Sequence, residues 1–104
     1  MVGEIHLAKI YFTNAVSAKV RPVLLIKLNS FGDFVYLPLT SNLQTNGLSI
    51  DNPQLKDGFL PKISIVVYEK PAVIATALLI KKIGTINSST FNSIIDDLVA
   101  FLKK

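Results

Sequence analysis

Short apolar runs rich in β-branched residues, each bounded by turn-forming residues, constrain the fold of this chain more than any other feature. Such runs occupy residues 3–11, 23–28, 34–39, 48–50 and 63–69. The first run alternates apolar with polar residues, which is the period of a half-buried strand, and the others are typical of buried strands. The pattern predicts a mainly β protein built from five or six short strands.

Two polar stretches between these runs predict surface loops. Residues 12–20 lose the alternation and are rich in Thr, Asn and Ser, whereas residues 51–62 hold two prolines, Gly58 and mixed charge. The run 72–80 fits either a strand or a short helix. Its β-branched start favours a strand through Thr76, followed by a turn of helix.

The C-terminal segment has the period of an amphipathic helix, with apolar residues at helical spacing over 91–102. Asn87, Ser88 and Ser89 are suitable N-caps for it. Five or six strands followed by one helix predict a small, strongly curved barrel of the SH3-like kind. At 104 residues the chain has the usual size of one domain, so we expect residues 1–104 to form a single unit.

Composition excludes several kinds of chemistry. The chain has no Cys, which removes disulfides, thiolate nucleophiles and zinc-ribbon or iron–sulfur sites. The single histidine, His6, leaves little scope for a transition-metal site or a Ser-His-Asp triad. Neither GxxxxGK[ST] nor GxGxxG occurs, so phosphate-cradling nucleotide sites are unsupported. We therefore expect no metal and no cofactor.

Charge and hydropathy point to a cytoplasmic protein with an anionic partner. The longest apolar run, residues 72–80, is too short to span a membrane, and the N-terminus does not read as a secretory signal. The net charge of +4 favours binding to nucleic acid or to an acidic protein segment. A charge that only keeps an apolar protein soluble explains it equally well. Arg21 is the only arginine, and hence the only side chain able to grip a phosphate with a planar, bidentate fork.

Polar side chains stand at the ends of the predicted strands. They are Arg21 before the second strand, Thr40 and Ser41 after the third, and Ser64 and Glu69 at either end of the fifth. A carboxylate, a guanidinium and a hydroxyl would together suffice for metal-free cleavage of RNA by its own 2′-hydroxyl. Ordinary turn chemistry accounts for Thr40, and a solvated strand end for Glu69, equally well.

The order of several segments resembles one family. GEIHLAKI, VRPVLLI, YLPLTS, SIVVYEKP and KKIGTI, followed by the helical tail, are similar in order and spacing to the MazF/PemK toxins of bacterial toxin-antitoxin pairs. The resemblance implies an SH3-like barrel of the MazF/PemK/CcdB type. It also implies a metal-independent, sequence-selective endoribonuclease that cuts single-stranded mRNA, leaving a 2′,3′-cyclic phosphate or 3′-phosphate and a 5′-hydroxyl. The implied partners are a second copy of the chain and an antitoxin whose flexible acidic C-terminal segment occupies the RNA groove.

The resemblance also implies roles for particular residues. Arg21 and Thr40 match the motif arginine and threonine, which bind the phosphate and stabilise the transition state. Glu69 matches a position that is often acidic and is the candidate base. Four further residues are expected to bind RNA, two at strand ends and two in the predicted loop before Arg21: Ser41, Ser64, Phe12 and Lys19.

Departures from the family pattern leave the cut sequence undefined. His6 stands where the family usually has Trp, and Val16 and Ala18 where Glu and Gly are common. Two other functions fit the same scaffold. One is a non-enzymatic poison similar to the CcdB toxins that bind DNA gyrase, and the other is a catalytically silent barrel that binds RNA or protein.

Overall fold

The computed structural model describes residues 2–11 and 17–104. These residues form eight strands and one helix, so the predicted mainly β fold is confirmed, whereas the predicted number of five or six strands is too low. The elements are β1 Glu4–Tyr11, β2 Ala18–Leu28, β3 Asp33–Thr40, β4 Leu48–Ile50, β5 Leu55–Gly58, β6 Ser64–Val66, β7 Ala72–Ala75, β8 Leu79–Ile86 and α1 Ser88–Leu102. Single turns of 3-10 helix, Asn52–Gln54 and Thr76–Leu78, precede β5 and β8.

The strands form one curled, half-barrel sheet in the order β4-β6-β3-β2-β1-β8-β5. β7 lies off this path and pairs with β3. All the pairings are antiparallel, and β1 and β2 share a ladder that runs from Ile5 opposite Leu24 to Tyr11 opposite Ala18. β3 changes neighbour along its length, because Tyr36 pairs with β7 whereas Leu39 and Thr40 pair with β6.

Both faces of the sheet carry apolar clusters. Because side chains alternate along a strand, Leu37 and Leu39 of β3 pack in one cluster, while Phe34 and Tyr36 pack in the other. Burial on both faces explains why residues 23–26 of β2 form a continuous apolar run instead of alternating.

Helix α1 covers the first of these clusters with Ile94 and Leu98, which are one turn apart. Its N-cap is Asn87, one of the three candidates, whose side chain accepts a hydrogen bond of 2.8 Å from the Thr90 amide. Among the described residues, no helix has the length and hydrophobicity that a membrane span requires.

Several element boundaries differ from the sequence predictions. The predicted loop 12–20 is wrong at its end, since β2 begins at Ala18, where backbone pairing with β1 requires no apolar pattern. The predicted loop 51–62 is also wrong, because a capping box of Asp51 and Gln54 starts a 3-10 turn and β5 then pairs with β8. The strand predicted over 63–69 is limited to Ser64–Val66.

Candidate functional site

A cleft of about 930 Å³ lies on the sheet face that carries Arg21 and Thr40. Four of the residues selected from the sequence line it, on or directly after three different strands: Arg21, Thr40, Ser41 and Ser64. Arg21 lies within β2, not before it as predicted. The folded chain therefore brings the arginine and the three hydroxyl groups to one cavity. Each of the three strands contributes only one or two of them, so the site depends on the tertiary fold.

The cleft opens where β2 and β3 separate. Their ladder ends with Val23 opposite Pro38, and continued for two more residues it would pair Arg21 with Thr40. No such pair forms, and Thr40 instead pairs only on the other edge of β3, with Ile65 of β6. Pro38 has no N–H to give to a ladder, but its carbonyl accepts a hydrogen bond of 2.9 Å from Val67, beyond β6.

The Arg21 side chain is exposed and mostly uncommitted. Its single hydrogen bond among the described residues runs from Nη1 to the carbonyl of Val20, at 3.4 Å. No described carboxylate forms an ion pair with it. A guanidinium has five N–H donors, so most of those on Arg21 are available to an anionic ligand in the cleft.

The hydroxyl groups of Thr40 and Ser64 are held by local hydrogen bonds. Thr40 Oγ1 accepts a bond of 3.1 Å from the Asn42 amide, which leaves its O–H free to donate to a ligand. Ser64 is 7% exposed and donates to the carbonyl of Lys62 at 3.2 Å. Ser41 is exposed at the end of β3.

The charged residues that line the cleft in the described part of the chain are all basic. They are Arg21, Lys62 and Lys70, each of which is exposed, and no Asp or Glu is among the lining residues. Because nothing in that lining neutralises these charges, the cleft attracts anions.

Three other candidates do not contribute to the described lining. Glu69 lies in the turn after β6, where its carboxylate accepts a hydrogen bond of 3.0 Å from Asn46 Nδ2. Lys19 lies on β2 instead of in a loop, opposite Ile10, and its side chain is exposed. Phe12 lies outside the described residues.

Sequence reasoning missed three of the polar or charged residues that line the cleft: Tyr36, Lys62 and Lys70. Tyr36 lies within an apolar strand, where a tyrosine is typical of a core. Lys62 precedes β6 and Lys70 follows it, and the pairing of β6 with β3 brings both lysines to one cavity. In the sequence, only their neighbouring prolines, Pro61 and Pro71, which mark the two ends of a strand, could have indicated these lysines.

His6 lies outside the cleft lining and contacts Glu4. Its Nε2 is 2.8 Å from Glu4 Oε1, and Lys82 Nζ is 3.7 Å from the second carboxylate oxygen. The hydrogen bond with His6 is the largest of the causes that lower the pKa of Glu4 from 4.5 to about 2. Across the described residues, no three His, Cys, Asp or Glu side chains are grouped as a metal site would require.

Comparison with known proteins gives a match to one family model and similarity to solved structures. The sequence model described as "PemK-like, MazF-like toxin of type II toxin-antitoxin system" matches residues 2–102. The fold is similar to that of the Mycobacterium tuberculosis toxin MazF-mt6, with a TM-score of 0.65, 21% identity and 91% coverage of each chain. A search of curated proteins finds no match.

Proposed function

This chain belongs to the PemK-like, MazF-like toxins of type II toxin-antitoxin systems, and from that premise we propose that it is a metal-independent, sequence-selective endoribonuclease acting on single-stranded mRNA. The observation that carries the proposal is the placement of the only arginine and the Thr40 hydroxyl in one basic cleft. A phosphodiester is the anionic group that such a cleft suits best.

The proposed reaction uses the RNA's own 2′-hydroxyl. The 2′-oxygen forms a bond to the adjacent phosphorus, and the bond from phosphorus to the 5′-oxygen breaks. The 2′-hydroxyl loses a proton, and the departing 5′-oxygen gains one. The products are a 2′,3′-cyclic phosphate, or the 3′-phosphate that its hydrolysis gives, and a 5′-hydroxyl. Arg21 donates to the phosphoryl oxygens as charge accumulates there, and Thr40 adds a hydroxyl donor.

Glu69 is proposed as the acceptor of the 2′-hydroxyl proton on the family resemblance alone, since its carboxylate is not among the residues that line the cleft. Glu69→Gln tests this role, because the amide keeps the size of the side chain and cannot accept the proton as a carboxylate does. We expect a lower maximal rate with unchanged RNA affinity.

The remaining residues of the cleft are proposed to bind RNA. Lys62 and Lys70 attract the phosphates on either side of the cut, while Ser41 and Ser64 position the chain. Lys19, outside the described lining, stays a predicted RNA contact by charge, and Phe12 stays a predicted contact by stacking.

The same cleft is proposed as the binding site of the antitoxin. A flexible acidic C-terminal segment matches its basic side chains and would exclude RNA by occupying the same groove. A homodimer is proposed from the large apolar side chains that the described residues leave exposed, including Leu28, Val73 and Ile80. We further propose that residues 1–104 act as one domain and that the protein works in the cytoplasm, where mRNA is translated.

Incubation of the purified protein with mixed-sequence single-stranded RNA in EDTA tests the proposal. We expect cuts with 5′-hydroxyl ends. Arg21→Ala is expected to reduce the cleavage rate by about 10²- to 10³-fold, the usual cost of a lost transition-state donor. Lys27→Ala, an exposed change on the same strand but outside the cleft, is the matched control.

The outcome separates the three candidate functions. Cleavage that requires Mg²⁺, or full activity of Arg21→Ala, contradicts the proposed mechanism. RNA retention without turnover indicates a silent binding barrel, and a protein that inhibits DNA gyrase without cutting RNA indicates a poison of the CcdB kind.

A further inference from the structure

The cleft has an apolar, buried floor and a charged, exposed rim. Val23, Leu39 and Leu60 are at most 4% exposed, whereas Lys62 and Lys70 are exposed. Burying a phosphate against apolar side chains carries a large desolvation cost, but a flat, uncharged base gains from such contact. The cleft therefore suits a ligand whose anionic groups lie at the rim and whose flat, uncharged group lies at the floor.

Tyr36 places a polar group in this floor. The residue is 9% exposed, and its ring packs in the second apolar cluster with Val23 and Phe34. Its hydroxyl has no hydrogen-bond partner among the described residues. In the part of the chain described, only Thr85 Oγ1 is a fully buried side-chain polar atom without a partner. The unpartnered Tyr36 hydroxyl is therefore not fully buried. The Tyr36 hydroxyl is therefore accessible from the cleft that the residue lines.

The position of Tyr36 on β3 separates it from the proposed cutting point. Tyr36, Pro38 and Thr40 lie on the same face of the strand, since side chains alternate. Four residues of extended chain span about 13 Å between Cα atoms, so Tyr36 and Thr40 reach the cleft at different points along β3. Burial raises the pKa of Tyr36, which keeps the phenol neutral and able to donate as well as to accept.

Resting on the proposed nuclease function, we propose that Tyr36 is a specificity-determining residue whose hydroxyl hydrogen-bonds the edge of an RNA base held in the cleft floor beside the scissile nucleotide. Lys70, on the rim near the β7 residue that pairs with Tyr36, holds the phosphate of that nucleotide. The Tyr36 hydroxyl favours a base that forms a hydrogen bond with it. A base that forms none would remove water from the hydroxyl and leave the hydroxyl without a partner, which costs free energy.

Tyr36→Phe tests the proposal because it removes only the hydroxyl. Wild type, Tyr36→Phe and the control Tyr68→Phe, a half-buried tyrosine that packs against the other cluster, are each given a single-stranded RNA with randomised central positions in EDTA. Sequencing of the products reads the base preference at every position around the cut. We expect Tyr36→Phe to lower cleavage of the preferred base at one neighbouring position by roughly tenfold relative to the other bases, with the same 5′-hydroxyl ends.

A merely structural role gives a different result. Because the hydroxyl has no partner in the free protein, we expect the Tm of Tyr36→Phe to be no lower than that of the wild type. A lower Tm with unchanged base preference, or an equal loss of rate on all sequences, overturns the proposal. Tyr68→Phe is expected to match the wild type in base preference.

The failure of the proposed function would be recognised separately. If the wild type cuts no RNA, the nuclease assignment fails, and the same variants are then compared for binding to a randomised 2′-O-methyl RNA, which cannot be cut by this route. Loss of base preference at one position in Tyr36→Phe still supports a base-reading role, and identical preferences in the two proteins reject it.

Discussion

Arg21 and Thr40 stand at positions that the β2–β3 register would place opposite each other, yet their strands separate before they pair. The register explains how two residues far apart in the sequence reach one cavity. The separation explains why a cavity exists between them instead of a continuous ladder. Beyond Pro38, β3 keeps only the pairing with β6 on its other edge, so its edge toward β2 is left open.

Thr40 tests the role of a single hydroxyl. Thr40→Val keeps the shape but removes the donor to the phosphate, and we expect a fall in the cleavage rate of about 10²-fold. It also removes the acceptor for the Asn42 amide, at a cost of about 1 kcal/mol in the free energy of unfolding. Thr40→Ser keeps both groups and should retain most of the activity. Single-turnover rates and urea unfolding measure the two effects, and equal rates for the Val and Ser variants would exclude a direct role for the hydroxyl.

Lys62 and Lys70 are expected to act through the salt dependence of RNA binding. Each phosphate contact on a single strand contributes about 0.7 to the slope of log affinity against log salt, so Lys62→Ala and Lys70→Ala should each reduce that slope by roughly this amount. Titrations of a non-cleavable RNA at several salt concentrations measure it. The control is Lys27→Ala, outside the cleft lining, for which an equal change would show that charge alone, and not position, matters.

Glu4 predicts how stability depends on pH. Its pKa is lowered to about 2 in the folded chain, chiefly by the hydrogen bond with His6, and lies below the ordinary 4.5. Between these two values the folded state holds a carboxylate where the unfolded chain would bind a proton. This stabilisation is complete above about pH 4.5 and is lost as the pH falls to about 2. Glu4→Gln should therefore lower Tm at pH 7 and have little effect near pH 2. Thermal unfolding across this range measures it, with the exposed helix variant Asp96→Asn as control.

Gly58 and Gly32 form a matched pair for backbone strain. Both have a positive φ, +85° and +82°, but a Cβ on Gly58 would meet the Ile83 carbonyl and the Gly84 backbone, whereas one on Gly32 meets nothing within 4 Å. We expect Gly32→Ala to cost about 1 kcal/mol in the free energy of unfolding and Gly58→Ala about 3 kcal/mol or more. Chemical unfolding measures the free energy of unfolding of both variants. Similar losses for the two would mean that β5 can move away from β8 at little cost.

Local patterns predicted part of this structure. Neighbouring residues alone encode three predicted features, namely the alternation in β1, the apolar runs of β2 and β3, and the helix cap at Asn87, which was one of three candidates. β5 was missed because its stability comes from pairing with β8, far along the chain, while its own residues have the composition of a loop.

The site was predictable where chemistry alone marked a residue. Arg21 stands out as the only arginine, and Thr40 ends an apolar strand. Tyr36 did not, because a tyrosine in an apolar strand is as typical of a core as of a ligand site. Only the missing partner for its hydroxyl, which depends on the packed structure, distinguishes the two.

The mouth of the cavity is set by main-chain hydrogen bonds between β3 and β6, and by the bond from Val67 to Pro38, not by the side chains that line it. Its width is consequently preorganised before any ligand arrives, and no strand has to be rebuilt on binding. The lining residues can therefore be exchanged one at a time, which would alter what the cavity prefers to bind, while the backbone that brings the arginine and the threonine to one cavity stays the same.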